Sequence, residues 1–275
     1  MKKTSNNQKK ETEVMPLNRY LAHAGVCSRR QAVAFIKQGL VTVGDTIITE
    51  PGYKVTSEDV VKFKNKLIRV EKKIYILLNK PKDVVTTLSD EKGRTTVSDL
   101  LKHVIKERIY PVGRLDRATT GLLLVTNDGD LAQRLAHPSY EVKKVYHVTL
   151  MSTLKRQDLE KIKKGITLSD GFIAVDKISY VPGKSKKNIK VEIHSGKNRI
   201  VRRIFKHLGY NVVKLDRINY AGLTKKGFAR KKWRNLTKDE IDNLKKFGEI
   251  KSRAGDVSEK ISKKRFTKNS RKNKY

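Results

Sequence analysis

Asp116 is the one acid in the run GRLDRATT, residues 113–120, and it lies between Arg114 and Arg117 just ahead of the apolar stretch GLLLVTNDGD. Two kinds of chemistry suit that pattern. A carboxylate at a turn can simply accept hydrogen bonds from local backbone donors. Alternatively, neighbouring cations favour the ionised form and keep a carboxylate ready as nucleophile or base in a place that attracts polyanions. The spacing alone leaves both readings open.

A second segment gathers charge of the other sign. In NRIVRRIFKHLG, residues 198–209, Ile200, Val201, Ile204, Phe205 and Leu208 fall on one side of a helix at 3.6-residue periodicity. Arg199, Arg202, Arg203 and Lys206 are left together on the other side, a face that is either solvated or opposite a phosphate or carboxylate. Motifs for other chemistries are missing. The sole cysteine, Cys27, excludes an internal disulfide and cysteine-rich zinc sites, and the six histidines show no HxxxH or HExxH spacing. No GxGxxG or GxxxxGK[ST] opens a helix after a strand, so the expectation is no cofactor and no metal.

The elements that must carry these residues are short. IYILLNKP, GLLLVTNDGD, KVYHVTL and NIKVEIHSG are apolar or alternating runs bounded by Gly, Asn and Pro, and they read as strands. Helices alternate with them irregularly, which predicts an α+β domain over residues 72–247 with a mixed, mostly antiparallel sheet and flanking helices. Ahead of it, residues 16–71 read as a small helical and β module. Leu17, Tyr20 and Leu21 fall at helical spacing up to Gly25. Ser28 then caps a second helix with Gln31 in capping-box position and Phe35 and Ile36 inward, and two short strands follow around a Gly44-Asp45 turn. Arg19, Arg29, Arg30 and Lys37 ride on those helices, where a basic face suits a phosphate backbone.

Residues 1–15 and 248–275 are rich in Lys, Arg, Ser and Asn and are expected to be disordered basic tails, either solvated or ordering on RNA. Lys and Arg number 63 against 28 acids, a formal net charge of +35, which makes nucleic acid the leading partner class. No apolar run approaches the ~20 residues of a spanning helix, and the N-terminal residues lack the apolar core of a secretion signal. The expectation is a cytoplasmic, monomeric protein without a membrane partner.

The run SRRQAVAFIKQGLVTVGD resembles the alpha-L RNA-binding module first seen in a ribosomal small-subunit protein. The successive runs NKPKDVVTTLSDEKGRTTVSDLL, RIYPVGRLDRATTGLLLVTNDGDLAQRLAHPSYEVKKVYHVTL and HSGKNRIVRRIFKHLG resemble, in order, the motifs of the ribosomal-RNA pseudouridine synthases of the RsuA/RluB group. That resemblance implies the pseudouridine synthase fold and isomerisation of uridine in ribosomal RNA without a cofactor. Asp116 stands in the place of the catalytic carboxylate, Tyr146 in that of the tyrosine lining the base pocket, and Arg202 in that of the basic partner of the acid. Arg114 matches an arginine that can fill the gap left by an extruded base. Arg19, Arg29, Arg30, Lys37, Arg199, Arg203 and Lys206 are expected to contact RNA. The chain has RIVR where relatives outside the group carry HQIR, so the role of their His is not transferred. The closing segment YAGLTKKGFARKKWRNLTKDEI inclines the assignment toward large-subunit rRNA.

Two other classes compete. A non-catalytic RNA-binding or ribosome-assembly protein on the same fold has no reason to keep an acid among cations facing phosphates, so Asp116 discriminates against it. A DNA-binding regulator calls for a recognition helix and dimer symmetry, and no dimerising heptad is present.

Overall fold

A computed structural model describes residues 14–225 and 227–246. The tails expected at 1–15 and 248–275 lie outside these residues except for Val14 and Met15, and Met15 is buried and paired with Val55. The chain divides between Lys73 and Ile74 into two compact units.

In the first unit, helix α1 (Leu17–His23) packs against α2 (Arg29–Lys37). The capping box forms: the Ser28 hydroxyl accepts from the Gln31 amide at 3.2 Å, and the Gln31 side chain accepts from the Ser28 amide at 3.0 Å. Gly25 and Gly39 follow the two helices with φ of 72° and 70°, the left-handed backbone that ends a helix most easily at glycine. Leu17, Tyr20, Leu21, Ala32 and Ile36 are buried, whereas Phe35 is only half-buried and stacks on Phe63 at 5.2 Å. The strand pair expected at 40–43 and 46–48 forms as Val41–Val43 with Thr46–Ile47 and extends into four strands by Val61–Phe63 and Lys66–Leu67. Those last two were not legible because strands of three and two residues are too short to show a period.

The second unit is built on a nine-stranded sheet. Its strands are β1 (Tyr75–Lys80), β2 (Tyr110–Pro111), β3 (Thr120–Thr126), β4 (Lys144–Leu150), β5 (Lys177–Tyr180), β6 (Asn188–Ile193), β7 (Val212–Tyr220), β8 (Leu223–Thr224) and β9 (Trp233–Asn235). The order is β5-β6-β4-β7-β3-β1-β9, with β2 on β3 and β8 on β7; every pairing is antiparallel except β3 with β7. The helices are α3 (Val97–Leu101), α4 (Gly129–Ala136), α5 (Arg156–Lys164), α6 (Ile200–His207) and α7 (Lys238–Lys246). The fold is α+β, as the sequence predicts.

Strand β1 is buried at every position because both its faces are covered, which is why it reads as a continuous apolar run. Tyr75 and Leu77 pack with Leu131, Leu135 and Leu244 on one face, and Ile76 and Leu78 with Val97, Leu101 and Leu115 on the other. Helices α5 and α6 bury Leu159, Ile162, Ile204 and Phe205 against Val148, Ile189 and Val191 in a separate core.

The parallel β3–β7 junction depends on one glycine. Gly121 has φ of 106°, and a Cβ there would fall 2.3 Å from the carbonyl oxygen of Arg217 and 2.6 Å from its amide nitrogen. Gly121→Ala is therefore expected to lower stability by about 3 kcal/mol or more, since both strain and backbone collision act together. Denaturant unfolding checks this, and a loss below 1 kcal/mol would contradict so close a junction.

Candidate active site

Asp116 sits on the loop between Pro111 and β3, and the chain fixes that loop from three sides. The Thr86 hydroxyl donates to the Leu115 carbonyl at 2.8 Å and accepts from the Leu115 amide at 3.3 Å. The Asp83 amide donates to the Arg117 carbonyl at 2.9 Å, and the Thr119 amide closes a turn on the Asp116 carbonyl at 3.0 Å. Beneath the loop, the fully buried Lys80 donates from Nζ to the carbonyls of Thr119 at 2.9 Å, Pro81 at 3.0 Å and Arg117 at 3.4 Å. Leu115, 6% exposed, anchors the turn in the core.

The flanking arginines are not the cations that face Asp116. Arg117 turns to Asp83, Nε to Oδ1 at 3.3 Å, and Arg114 is exposed on the rim. The facing cations come from α6 and the residue before it: Arg202 Nε lies 3.7 Å and Arg199 Nε 3.8 Å from Asp116 Oδ2. The four cations of the segment thus do not share one face. Arg199 is the N-cap of α6 with φ of 47°, a left-handed conformation that strains a non-glycine residue. Arg203 forms a two-pronged pair with Asp170, and Lys206 is exposed. Arg202 donates from Nη1 to the Val212 carbonyl at 3.0 Å, while its buried Nε and Nη2 make no hydrogen bond. Burial lowers the pKa of that guanidinium and the Asp116 charge opposes the shift.

Strands β4 and β7 supply the wall. Lys144 and Tyr146 lie on one face of β4, and the register pairs Tyr146 with Arg217 and Lys144 with Tyr220. Asp116, Tyr146, Lys144, Leu215, Arg217 and Tyr220 line one cavity of about 180 Å³, enough for a single flat ring. A wider groove of about 720 Å³ adjoins it, also lined by Asp116, with Arg114, Arg117, Arg94 and Lys197 along its walls. A carboxylate therefore stands where a half-open pocket meets a basic channel. That arrangement can seat a base in the pocket and a phosphodiester chain in the channel. Among the described residues, no group of three or more His, Cys, Asp or Glu is placed to hold a metal ion, and no helix is long and apolar enough to cross a membrane.

Of the residues singled out in the sequence, Arg114, Asp116, Tyr146, Arg199 and Arg202 come together here, beside Lys80, Lys144 and Arg217, which were not singled out. A lysine ending an otherwise apolar strand, YILLNK, was the available signal for Lys80. In the first unit, Arg29, Arg30 and Lys37 are exposed on α2 and Arg19 is half-buried on α1.

The buried Lys80 and the half-buried Lys144 make a pH prediction. Burial lowers the Lys80 pKa to about 8 against the pull of Asp116, and lowers that of Lys144 to about 8 with Arg217 adding to the effect. In the unfolded chain each titrates near 10.5. Between those values the unfolded chain holds more protons, so the cost of burying these charges fades and stability rises with pH. The unfolding free energy of the wild type should rise relative to Lys144→Met from pH 8 to pH 10. Parallel pH profiles would contradict a partly desolvated, charged Lys144.

The fold and the site together define an RNA-modifying enzyme class. Residues 74–207 match the RNA pseudouridylate synthase family and residues 15–61 match the S4 domain. A solved structure described as a pseudouridylate synthase aligns over 84% of this chain and 99% of its own, with 27% identity and a TM-score of 0.60. The chain is 41% identical over 232 residues to ribosomal large subunit pseudouridine synthase B of Bacillus subtilis, covering 83% of this chain and 95% of that one. It is 38% identical over 231 residues to an uncharacterised RNA pseudouridine synthase of Aquifex aeolicus, covering 83% and 92%. The chain belongs to the RNA pseudouridylate synthase family and carries an S4 domain before its catalytic unit.

Proposed function

We propose that this protein converts uridine to pseudouridine in large-subunit ribosomal RNA, with Asp116 as the catalytic carboxylate. The observation that carries the reading is the position of Asp116 between the pocket and the basic groove, faced by Arg199 and Arg202. The large-subunit assignment draws on the similarity to the Bacillus subtilis protein of that name. The reaction breaks the C1′–N1 bond, turns the uracil and joins C5 to C1′ with no net redox change. To reach that bond, the nucleotide leaves its stack at a cost of a few kcal/mol. Tyr146 supports the base from the side, and Arg202 holds the carboxylate in place. Arg114, on the rim, is suited to the gap the base leaves behind. Arg199 lines the groove where a phosphate chain would pass, the exposed Lys206 on α6 is proposed as a further phosphate contact, and Arg203 is partly satisfied by Asp170.

In this reading residues 16–71 dock the RNA through Arg19, Arg29, Arg30 and Lys37, residues 72–247 perform catalysis, and the protein works as a monomer in the cytoplasm. Formation of the C5–C1′ bond expels the C5 hydrogen, so tritium at uridine C5 reports turnover wherever the target lies. Tritium should be released from labelled large-subunit transcripts and not from small-subunit ones; release from small-subunit RNA alone would overturn the assignment.

A chain beginning near Lys72 tests the division of labour. The second unit has its own cores, so it is expected to fold and to keep its rate at saturating RNA. Its affinity for structured rRNA should fall by about tenfold or more, as phosphate contacts are lost. Equal affinities would remove the docking role. A folded truncation that is inactive at saturation would show that the first unit helps to build the site.

A further inference from the structure

The cavity that holds Asp116 contains a second group that the reaction just described leaves without a task. Arg217 lies on β7 and is only 2% exposed. Its Nε donates to the Leu122 carbonyl at 2.7 Å, and its guanidinium carbon stands 4.5 Å over the Tyr220 ring. Those contacts fix the plane of the group. Its Nη2 is nevertheless buried with no hydrogen-bond partner. A buried guanidinium is normally answered by a carboxylate, because an unanswered charge and an unused donor both cost free energy. The adjacent acid does not serve. Asp216 points to the other face of the strand and is engaged by Lys225, Arg230 and Thr120. Within the cavity the one lining acid is Asp116, which already faces Arg199 and Arg202, whereas Lys144 adds another cation on the Arg217 side. The pocket therefore has a fixed excess of positive charge, and Arg217, which lines it, keeps an unused donor.

A uracil ring brings what that pocket lacks. It carries two carbonyl oxygens, and its need for a cation grows during the reaction. When the C1′–N1 bond breaks, the electron pair leaves with the base, and the charge at N1 spreads onto O2 and O4. C5 then bonds to C1′, the group holding C1′ in the interval regains its own pair, the C5 proton passes to water, and N1 takes a proton from water. Between cleavage and rejoining the base is an anion that must turn without escaping. Tyr146, directly across the register from Arg217, bounds the same space.

We infer that Arg217 is a second catalytic residue of this site, donating from its guanidinium to a carbonyl oxygen of the flipped uracil and holding the detached base as an anion while it turns. The inference rests on the proposed isomerase reading. A donor preplaced where charge develops acts more strongly on the chemical step than on ground-state binding. The arginine belongs to the pocket and not to the RNA channel, so its loss should spare affinity for the transcript.

The experiment is single-turnover release of tritium from C5-labelled large-subunit rRNA transcript, measured against enzyme concentration for the wild type, Arg217→Gln and Arg217→Lys, with melting of each protein. No release by the wild type would sink the isomerase reading itself; release by the wild type leaves the Arg217 claim to the variants. Arg217→Gln is expected to lose about 100-fold or more of the saturated rate while RNA affinity changes less than threefold. Arg217→Lys keeps the charge and the stem, but one ammonium cannot hold both the Leu122 carbonyl and the base in the same geometry. It should recover about tenfold of the loss and remain about tenfold below the wild type. If Arg217→Gln does not fold, Arg217→Lys decides alone, and a wild-type rate from it would overturn the proposal. So would a saturated rate within threefold of wild type in folded Arg217→Gln, or losses in which affinity and rate fall together.

Discussion

Asp116→Asn should abolish pseudouridine formation, by roughly three orders of magnitude or more in single-turnover rate, while affinity for rRNA stays the same or rises. The amide keeps the shape of the side chain. The loop beneath it is held through backbone carbonyls by Lys80 and Thr86, contacts that do not involve the carboxylate. What is lost is the charge that attacks or accepts a proton, and with it the only acid lining a cavity full of cations. Removing that charge brings the pocket and groove closer to a plain phosphate-binding surface, so affinity gains if it changes at all. Filter binding beside the tritium assay separates the two quantities. Appreciable turnover by folded Asp116→Asn would remove the carboxylate from the mechanism.

Arg202→Ala is the second large effect, expected to cost about 100-fold in rate at saturating RNA. The side chain is 15% exposed, lies 3.7 Å from Asp116 and ties α6 to β7 through the Val212 carbonyl. Without it the carboxylate keeps Arg199, which is more than half exposed and can be drawn off by a phosphate. The two unused donors of Arg202 suggest that the pair tightens when substrate excludes water, since a buried guanidinium cannot leave them idle at no cost. Melting of Arg202→Ala should show modest destabilisation, because the Val212 carbonyl loses its donor. A normal rate would show that Asp116 needs no partner from α6.

Much of this site was legible before any coordinates. The apolar strand runs, the capping box at Ser28 and the acid set among arginines all carry local signals, and local signals survive folding. The resemblance then assigned roles that spacing alone could not. What stayed hidden depends on tertiary approach. Arg114 and Arg117 are next to Asp116 in sequence, yet its ionic partners are Arg199 and Arg202, more than 80 residues away, because α6 is carried back to the loop by the sheet order. The helical wheel put Arg199 with Arg203 and Lys206, but the left-handed backbone at Arg199 takes it out of that pattern. Arg217 and Lys144 were unreadable for a related reason. A cation in an alternating strand looks like the solvent face, and here that face is the wall of a pocket.

The most direct test of the account is a map of pseudouridines in the ribosomal RNA of the parent organism without this gene, and of the same strain supplied with the wild-type chain or with Asp116→Asn. The account predicts that loss of the gene removes pseudouridine from the large-subunit rRNA and leaves the small-subunit positions intact. The wild-type chain should restore it, and Asp116→Asn, although present and folded, should not. An unchanged map in the deleted strain, or restoration by Asp116→Asn, would contradict the claim that this chain is a large-subunit rRNA pseudouridine synthase acting through Asp116.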